Sequence, residues 1–168
     1  MNRAAAFAAN APLMGVPGAA APPGGIGEWF RGAGGLRLRA AFWTPSALVA
    51  QKPRGTVVLS PGRTEPIEKY FEVIGNFLAR GWCVLAHDWR GQGLSARLLP
   101  DRLKGHARAV EEFQDDYARL LDAFEARAPP RLRAATATGS GAPAACACGQ
   151  PCGPRRSWWL PSRAARWC

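Results

Sequence analysis

Two short runs constrain this chain more than anything else in it. TVVLSPG (residues 56–62) and WCVLAHD (residues 82–88) are almost wholly apolar, and each ends in turn-forming or polar residues. A strand exposed on one face alternates apolar with polar residues, whereas a strand covered on both faces shows no polar side. Both runs therefore read as central strands. Between them PIEKYFEVIGNFLARG carries Tyr70, Phe71, Ile74, Phe77 and Leu78 at helical spacing. Glu65 and Glu68 suit the N-terminal end of that helix and Gly81 its stop. Strand, helix and strand, with both strands buried, demand a parallel crossover and hence an α/β sheet with helices on both faces.

The flanking segments extend this pattern. In EWFRGAGGLRLRAAFWT, Gly34-Gly35 is a turn signal between two strand-forming runs. Leu36, Leu38, Ala40 and Phe42 share one face while Arg37 and Arg39 point the other way, which predicts a half-buried antiparallel hairpin. Downstream, WRGQGLSARLLP is rich in turn residues. A second helix is predicted over residues 109–126, with Phe113, Tyr117, Leu120, Leu121 and Phe124 as its apolar stripe. That stripe needs a sheet to cover, so another buried strand should follow.

No such strand is legible. Residues 131–168 contain no Val, Ile, Phe, Tyr or Met and no Asp, Glu, Lys, His or Asn. Strands favour β-branched and aromatic residues, and only two Thr and three Trp of that kind occur here. Ala, Arg, Gly and Pro with excess Cys and Trp are what GC-rich DNA encodes out of frame. Disordered segments do not accumulate Trp and Cys in this way. The expected organisation is a flexible leader over residues 1–27, a partial α/β domain over residues 28–130, and an unstructured, out-of-frame tail over residues 131–168. Without the missing strand, Val57, Val58 and Leu59 would lie on an open apolar edge, a template for aggregation.

The net charge of +10 raises the question of nucleic acid. All 12 acidic residues lie at or before Glu125, facing 15 Lys and Arg, so this part is only mildly basic. The remaining charge comes from seven arginines between Arg127 and Arg166, without the interleaved single aromatics of a nucleic-acid groove. No nucleic-acid partner is expected. Cys146, Cys148, Cys152 and Cys168 crowd the tail, but C-x-C-x3-C is not zinc-ligand spacing and no His follows His106. No metal and no cofactor are called for.

Two motifs carry a family resemblance. VVLSPGRTEPIEKY resembles the strand and oxyanion loop of α/β-hydrolases of the lysophospholipase and monoacylglycerol lipase type. VLAHDWRGQGLS is similar to their following strand and loop, D-x-x-G-x-G-x-S, with Asp88, Gly91, Gly93 and Ser95 filling the pattern. GHARAVEEFQDDYARLLDAF resembles the linker and helix that lead to the nucleophile strand. The resemblance implies the N-terminal part of an α/β-hydrolase sheet, an antiparallel hairpin and then a parallel βαβ unit. It also implies a serine hydrolase acting on lipid esters. By resemblance Gly62 lets the oxyanion loop turn tightly and the Arg63 N–H is a donor, with Pro61 where the family often has His. Asp88, Gly91, Gly93 and Ser95 form a structural loop.

His87 and His106 read as packing and linker residues, and although Asp88 with Arg90 suggests a catalytic acid and its charge partner, the resemblance makes their loop structural. Ser95 lacks the closing glycine of G-x-S-x-G. Ser140, in TGSGA, has Thr138 in place of the first glycine and no legible strand before it. With no nucleophile elbow, the chain is expected to be an inactive form of a lipid-ester hydrolase. The alternative is a non-catalytic module that binds a membrane surface through the Arg/Trp tail. A cytoplasmic location, peripheral membrane contact and no specific protein partner complete the expectations.

Overall fold

The computed structural model describes residues 7–127 together with the backbone of residues 132–134. Six strands form one mixed sheet: β1 (Ala8–Ala9), β2 (Ile26–Arg31), β3 (Arg37–Trp43), β4 (Thr56–Leu59), β5 (Cys83–His87) and β6 (Leu132–Ala134). Their spatial order is β1-β2-β3-β5-β4-β6. Strands β1 to β3 and β3–β5 pair antiparallel, and β5, β4 and β6 run parallel. Helix α1 (Phe71–Ala79) joins β4 to β5, and α2 (Glu111–Glu125) follows β5.

The two apolar runs are central strands, as their composition requires. Every residue of β4 and β5 is buried. Alternate side chains serve opposite faces. Leu59, Val84 and Ala86 pack with Ile67, Phe71 and Ile74 of the α1 region, together with Ala41 and Trp43 of β3. Val58 and Leu85 pack with Leu120 and Phe124 of α2, together with Phe30, Leu38 and Ala40. A fully buried Leu or Phe contributes about 1.5–3 kcal/mol, so the two stripes predicted from spacing anchor one layer each.

The hairpin forms around a single tight turn, with Gly34 and Gly35 both at positive φ (67° and 75°). It is not half-buried. The face that carries Arg37 and Arg39 also carries Ala41 and Trp43, which α1 covers, and Arg39 itself is 0 % exposed.

Two further expectations fail. The leader does not remain free up to residue 27: Ala8 and Ala9 pair with Trp29 and Glu28, the Ala11 N–H donates to Gly27 O at 3.0 Å, and Ala11 is buried. Main-chain pairing needs no side-chain signature, so an Ala-rich stretch can add a strand that propensity does not mark. The missing strand is also present. Leu132, Arg133 and Ala134 pair parallel with Thr56, Val57 and Val58, so β4 has a neighbour on both sides and its apolar residues are not on an open edge. Backbone hydrogen bonds to β4 offset the weak strand propensity of L-R-A. The remaining tail, with Ser140, the four late cysteines and the Arg/Trp cluster, lies outside the described residues.

Candidate functional site

In an open α/β sheet, the loops that leave the carboxyl ends of parallel strands converge where chain direction switches between neighbours. Here those loops are residues 60–66 after β4 and residues 88–110 after β5. The connection after β5 passes over β4 to reach β6, so α1 and α2 lie on opposite faces and the switch falls beside β4.

The loop after β4 is held from several sides. Ser60 Oγ lies 3.0 Å from His87 Nε2, Trp89 Nε1 donates to Pro61 O at 2.7 Å, and the Gly62 N–H donates to Glu65 Oε2 at 2.9 Å. The Thr64 N–H donates to Gln92 Oε1. Between these two claimed amides, the Arg63 N–H has no hydrogen-bond partner among the described residues. Glu65 is itself fixed by Lys69 and the Tyr70 hydroxyl, which hold its carboxyl down at about 2. The tight turn belongs to Thr64, at φ 67°, and not to Gly62. A β-branched residue in the left-handed region costs about 1–2 kcal/mol. It persists because Gln92 claims its N–H and its Oγ1 donates to Arg63 O at 2.6 Å. Nothing in the sequence marked Gln92 or Thr64; the bond spans 28 residues and needs the fold.

The loop after β5 is structural, and its acid does not partner Arg90. Asp88 is fully buried; it accepts the Ile67 N–H and the Leu94 N–H at 2.9 Å each and Arg39 Nε at 2.7 Å. Arg39 also clasps Glu68 with two nitrogens, at 2.6 and 2.7 Å, and donates to Pro12 O. Although burial opposes it, this fork holds the Glu68 carboxyl below the usual carboxylate range. Glu68 thus stands in the first turn of the helical segment, as expected, and is also a buried ion-pair partner. Ser95 closes the loop by donating to Asp88 O and accepting the Arg39 N–H, both at 2.9 Å. Gly93 (φ 49°) leaves no room for a Cβ, which would sit 2.0 Å from Asp88 Oδ2, and Gly91 (φ 74°) backs onto the main chain of His106 at 3.0 Å. Arg90 turns instead to α2, reaching Asp116 through two nitrogens at 2.6 and 2.8 Å and Glu112 at 2.8 Å.

His87 is a packing residue. It lies edge-on to Trp89, with ring centroids 4.4 Å apart, and near Tyr117, and burial lowers its pKa to about 3. The folded chain therefore refuses a proton that the unfolded chain accepts below about 6.5, so stability is full above that pH and is lost as pH falls towards 3. At pH 5 the expected loss is about 2 kcal/mol. Urea midpoints between pH 7 and 4.5 should fall for the parent and much less steeply for His87→Gln; equal slopes would refute a neutral buried imidazole. An imidazole that burial makes this weakly basic is a poor general base near neutrality.

A cleft of about 480 Å³, lined by Pro22, Thr44, Pro45, Val49, Gly75 and Leu78 among others, opens at the other end of the sheet. Trp43 pairs with Val84 at the start of β5, whereas the candidate site lies beyond its end. The cleft is not part of that site.

A family model described as serine aminopeptidase, S33 matches residues 51–155, well over half of the chain. The chain belongs to the serine aminopeptidase S33 family. The matched span includes both loops and β6 of this S33 chain. Lysophospholipase L2 of Escherichia coli K12 is 42 % identical over 69 residues, which are 41 % of this chain and 20 % of that protein. Two solved structures share the fold. The α/β hydrolase GrgF from Penicillium sp. has a TM-score of 0.52 at 19 % identity, covering 68 % of this chain and 37 % of that one. A soluble variant of monoglyceride lipase from Saccharomyces cerevisiae has a TM-score of 0.50 at 20 % identity, covering 62 % and 32 %. The match spans about a fifth of the length of the curated relative. The architecture is the α/β-hydrolase sheet through its first three parallel strands.

Proposed function

We propose that this chain is the oxyanion-binding portion of a serine hydrolase that cleaves carboxylic esters of lipids, of the lysophospholipase or monoacylglycerol lipase type. One observation carries the reading: the Arg63 N–H, at the carboxyl end of β4, has no partner among the described residues and is flanked by amides that Glu65 and Gln92 have claimed. A preorganised donor of this kind stabilises the developing oxyanion because it needs no reorientation as charge appears. Gly62 and Arg63 are the oxyanion-loop residues, and Asp88, Gly91, Gly93 and Ser95 hold the neighbouring loop in place. Asp88 is saturated by three donors, and the His87 imidazole is buried and only weakly basic, so neither is placed to serve as acid or base. The likeness to lysophospholipase L2 supports a lipid ester as substrate.

No G-x-S-x-G occurs in these 168 residues, so they supply a donor for the oxyanion and no group to attack the carbonyl carbon. Their own turnover is expected to be nil, and their place is at the cytoplasmic side of lipid metabolism, in peripheral contact with membranes. A fluorophosphonate probe should leave the purified chain unlabelled; labelling of any serine would overturn its inactivity. Residues 7–134 joined to the remainder of E. coli lysophospholipase L2 should hydrolyse lysophosphatidylcholine. A folded chimera that the probe labels but that does not turn over the lipid would overturn the lipid-ester reading.

A further inference from the structure

The loop after β5 carries a surface that the clamp around Asp88 does not use. Leu99 is 36 % exposed, Leu103 94 % and Val110 53 %. Exposed cations alternate with them: Arg102, Lys104 and Arg108. Asp101 is the single carboxylate of the segment, 3.6 Å from Lys104, while Arg97 turns inward to Gly91 O and Gly93 O. Of the acids that open α2, Glu112 is taken up by Arg90 and the Arg108 N–H, and Glu111 is left to solvent. A single exposed leucine is ordinary. Large apolar side chains interleaved with exposed cations within a dozen residues suit a surface that is anionic outside and apolar beneath.

The position of the segment gives this a purpose. Its return leg lies against the β5 loop, where a Cβ on Gly91 would meet His106 N at 3.0 Å and Gly105 Cα at 3.3 Å. The neighbour of Gly91 is Gln92, whose Oε1 holds the Thr64 N–H of the oxyanion loop. Residues 98–108 and the Arg63 N–H thus belong to one braced unit at the carboxyl end of the sheet.

We infer that residues 98–108, with Val110, dock this protein on an anionic phospholipid bilayer, Leu99 and Leu103 entering the acyl boundary while Arg102, Lys104 and Arg108 meet lipid phosphates. Nucleic acid would use the cations and leave the leucines in water; a bilayer uses both. Docking here brings the oxyanion loop to the surface that holds a lipid ester. The assignment deepens the proposed lipid-ester hydrolase, but binding is read without turnover, so either can fail alone.

Sedimentation of the full chain with phosphatidylcholine vesicles, with or without one quarter phosphatidylglycerol, tests it. The parent should bind the anionic vesicles and release them as salt rises. Leu99→Ser/Leu103→Ser should weaken binding about a hundredfold, and Arg102→Glu/Lys104→Glu at least about tenfold. Leu48→Ser, which removes an equally exposed leucine near the opposite end of the sheet, should change nothing. Near-UV circular dichroism confirms that each variant is folded. Every variant retains residues 135–168, so binding within twofold of the parent in Leu99→Ser/Leu103→Ser would overturn the assignment, as would failure of the parent to bind anionic vesicles.

Discussion

Arg39→Met is expected to remove most of the stability of the fold. Arg39 is fully buried, and its guanidinium nitrogens are claimed by Glu68, Asp88 and the Pro12 carbonyl. Methionine fills similar volume but leaves two carboxylates in the interior without their cation. Removing one partner of a buried ion pair costs about 3–5 kcal/mol, because the remaining charge has already lost its water. Domains of this size hold only about 5–15 kcal/mol in all. Urea unfolding should show the midpoint collapse or the cooperative transition vanish. Arg39→Met/Glu68→Gln should recover part of the loss, since one of the stranded charges is gone. Arg39→Lys should be intermediate, because an ammonium cannot reproduce the bidentate fork. A parent-like midpoint for Arg39→Met would mean that the cluster is not the pin it resembles.

Gly93→Ala is expected to damage the same cluster from the other side. A Cβ at position 93 would lie 2.0 Å from Asp88 Oδ2 and 2.2 Å from its Cγ, and the backbone there is left-handed at φ 49°. The carboxylate cannot swing away without giving up the Ile67 and Leu94 amides and Arg39 Nε. The expected loss is about 2–4 kcal/mol, from strain together with broken buried hydrogen bonds. Gly34→Ala separates the two causes. Its φ of 67° is equally left-handed, yet nothing lies within 4 Å of the added Cβ, so only the conformational cost of about 1–2 kcal/mol applies. Because Gly93 and Arg39 act on one carboxylate, Arg39→Met/Gly93→Ala should cost much less than the two single losses added together. Additive losses would show that Gly93 matters for its backbone alone.

The two families of variant bear on function as well as stability. Asp88 ties the start of the α1 region to the β5 loop through the Ile67 amide. Gln92, in the same loop, ties it to the oxyanion loop through Thr64. A displaced Asp88 therefore loosens the frame that positions the Arg63 N–H.

The sheet's core was legible because periodicity survives in one dimension. Unbroken apolar runs marked β4 and β5, helical stripes marked α1 and α2, and paired glycines marked the hairpin turn. The motif D-x-x-G-x-G-x-S identified a structural loop by type. Its partner was not legible. Arg39 reads as an outward-facing strand residue until the antiparallel register of β3 and β5, Ala40 opposite His87, brings it beside Asp88. The Asp88 N–H then bonds Arg39 O at 3.0 Å. The edges were hidden for a related reason. β1 and β6 are built from residues with little strand preference, and only a neighbour with free main-chain groups makes them strands.

By itself, the order of residues determined which segments must be buried, their parallel crossover connection and the loop glycines that permit positive φ. These are properties of neighbours along the chain, set by local sterics and by the period of apolar side chains. Only the tertiary structure decided which charges meet in the interior, which amide near Gly62 lacks a partner among the described residues and which weak segments extend the sheet. Each of those depends on groups that lie far apart in sequence, and the free energy of a buried charge or amide is fixed by what the fold sets against it.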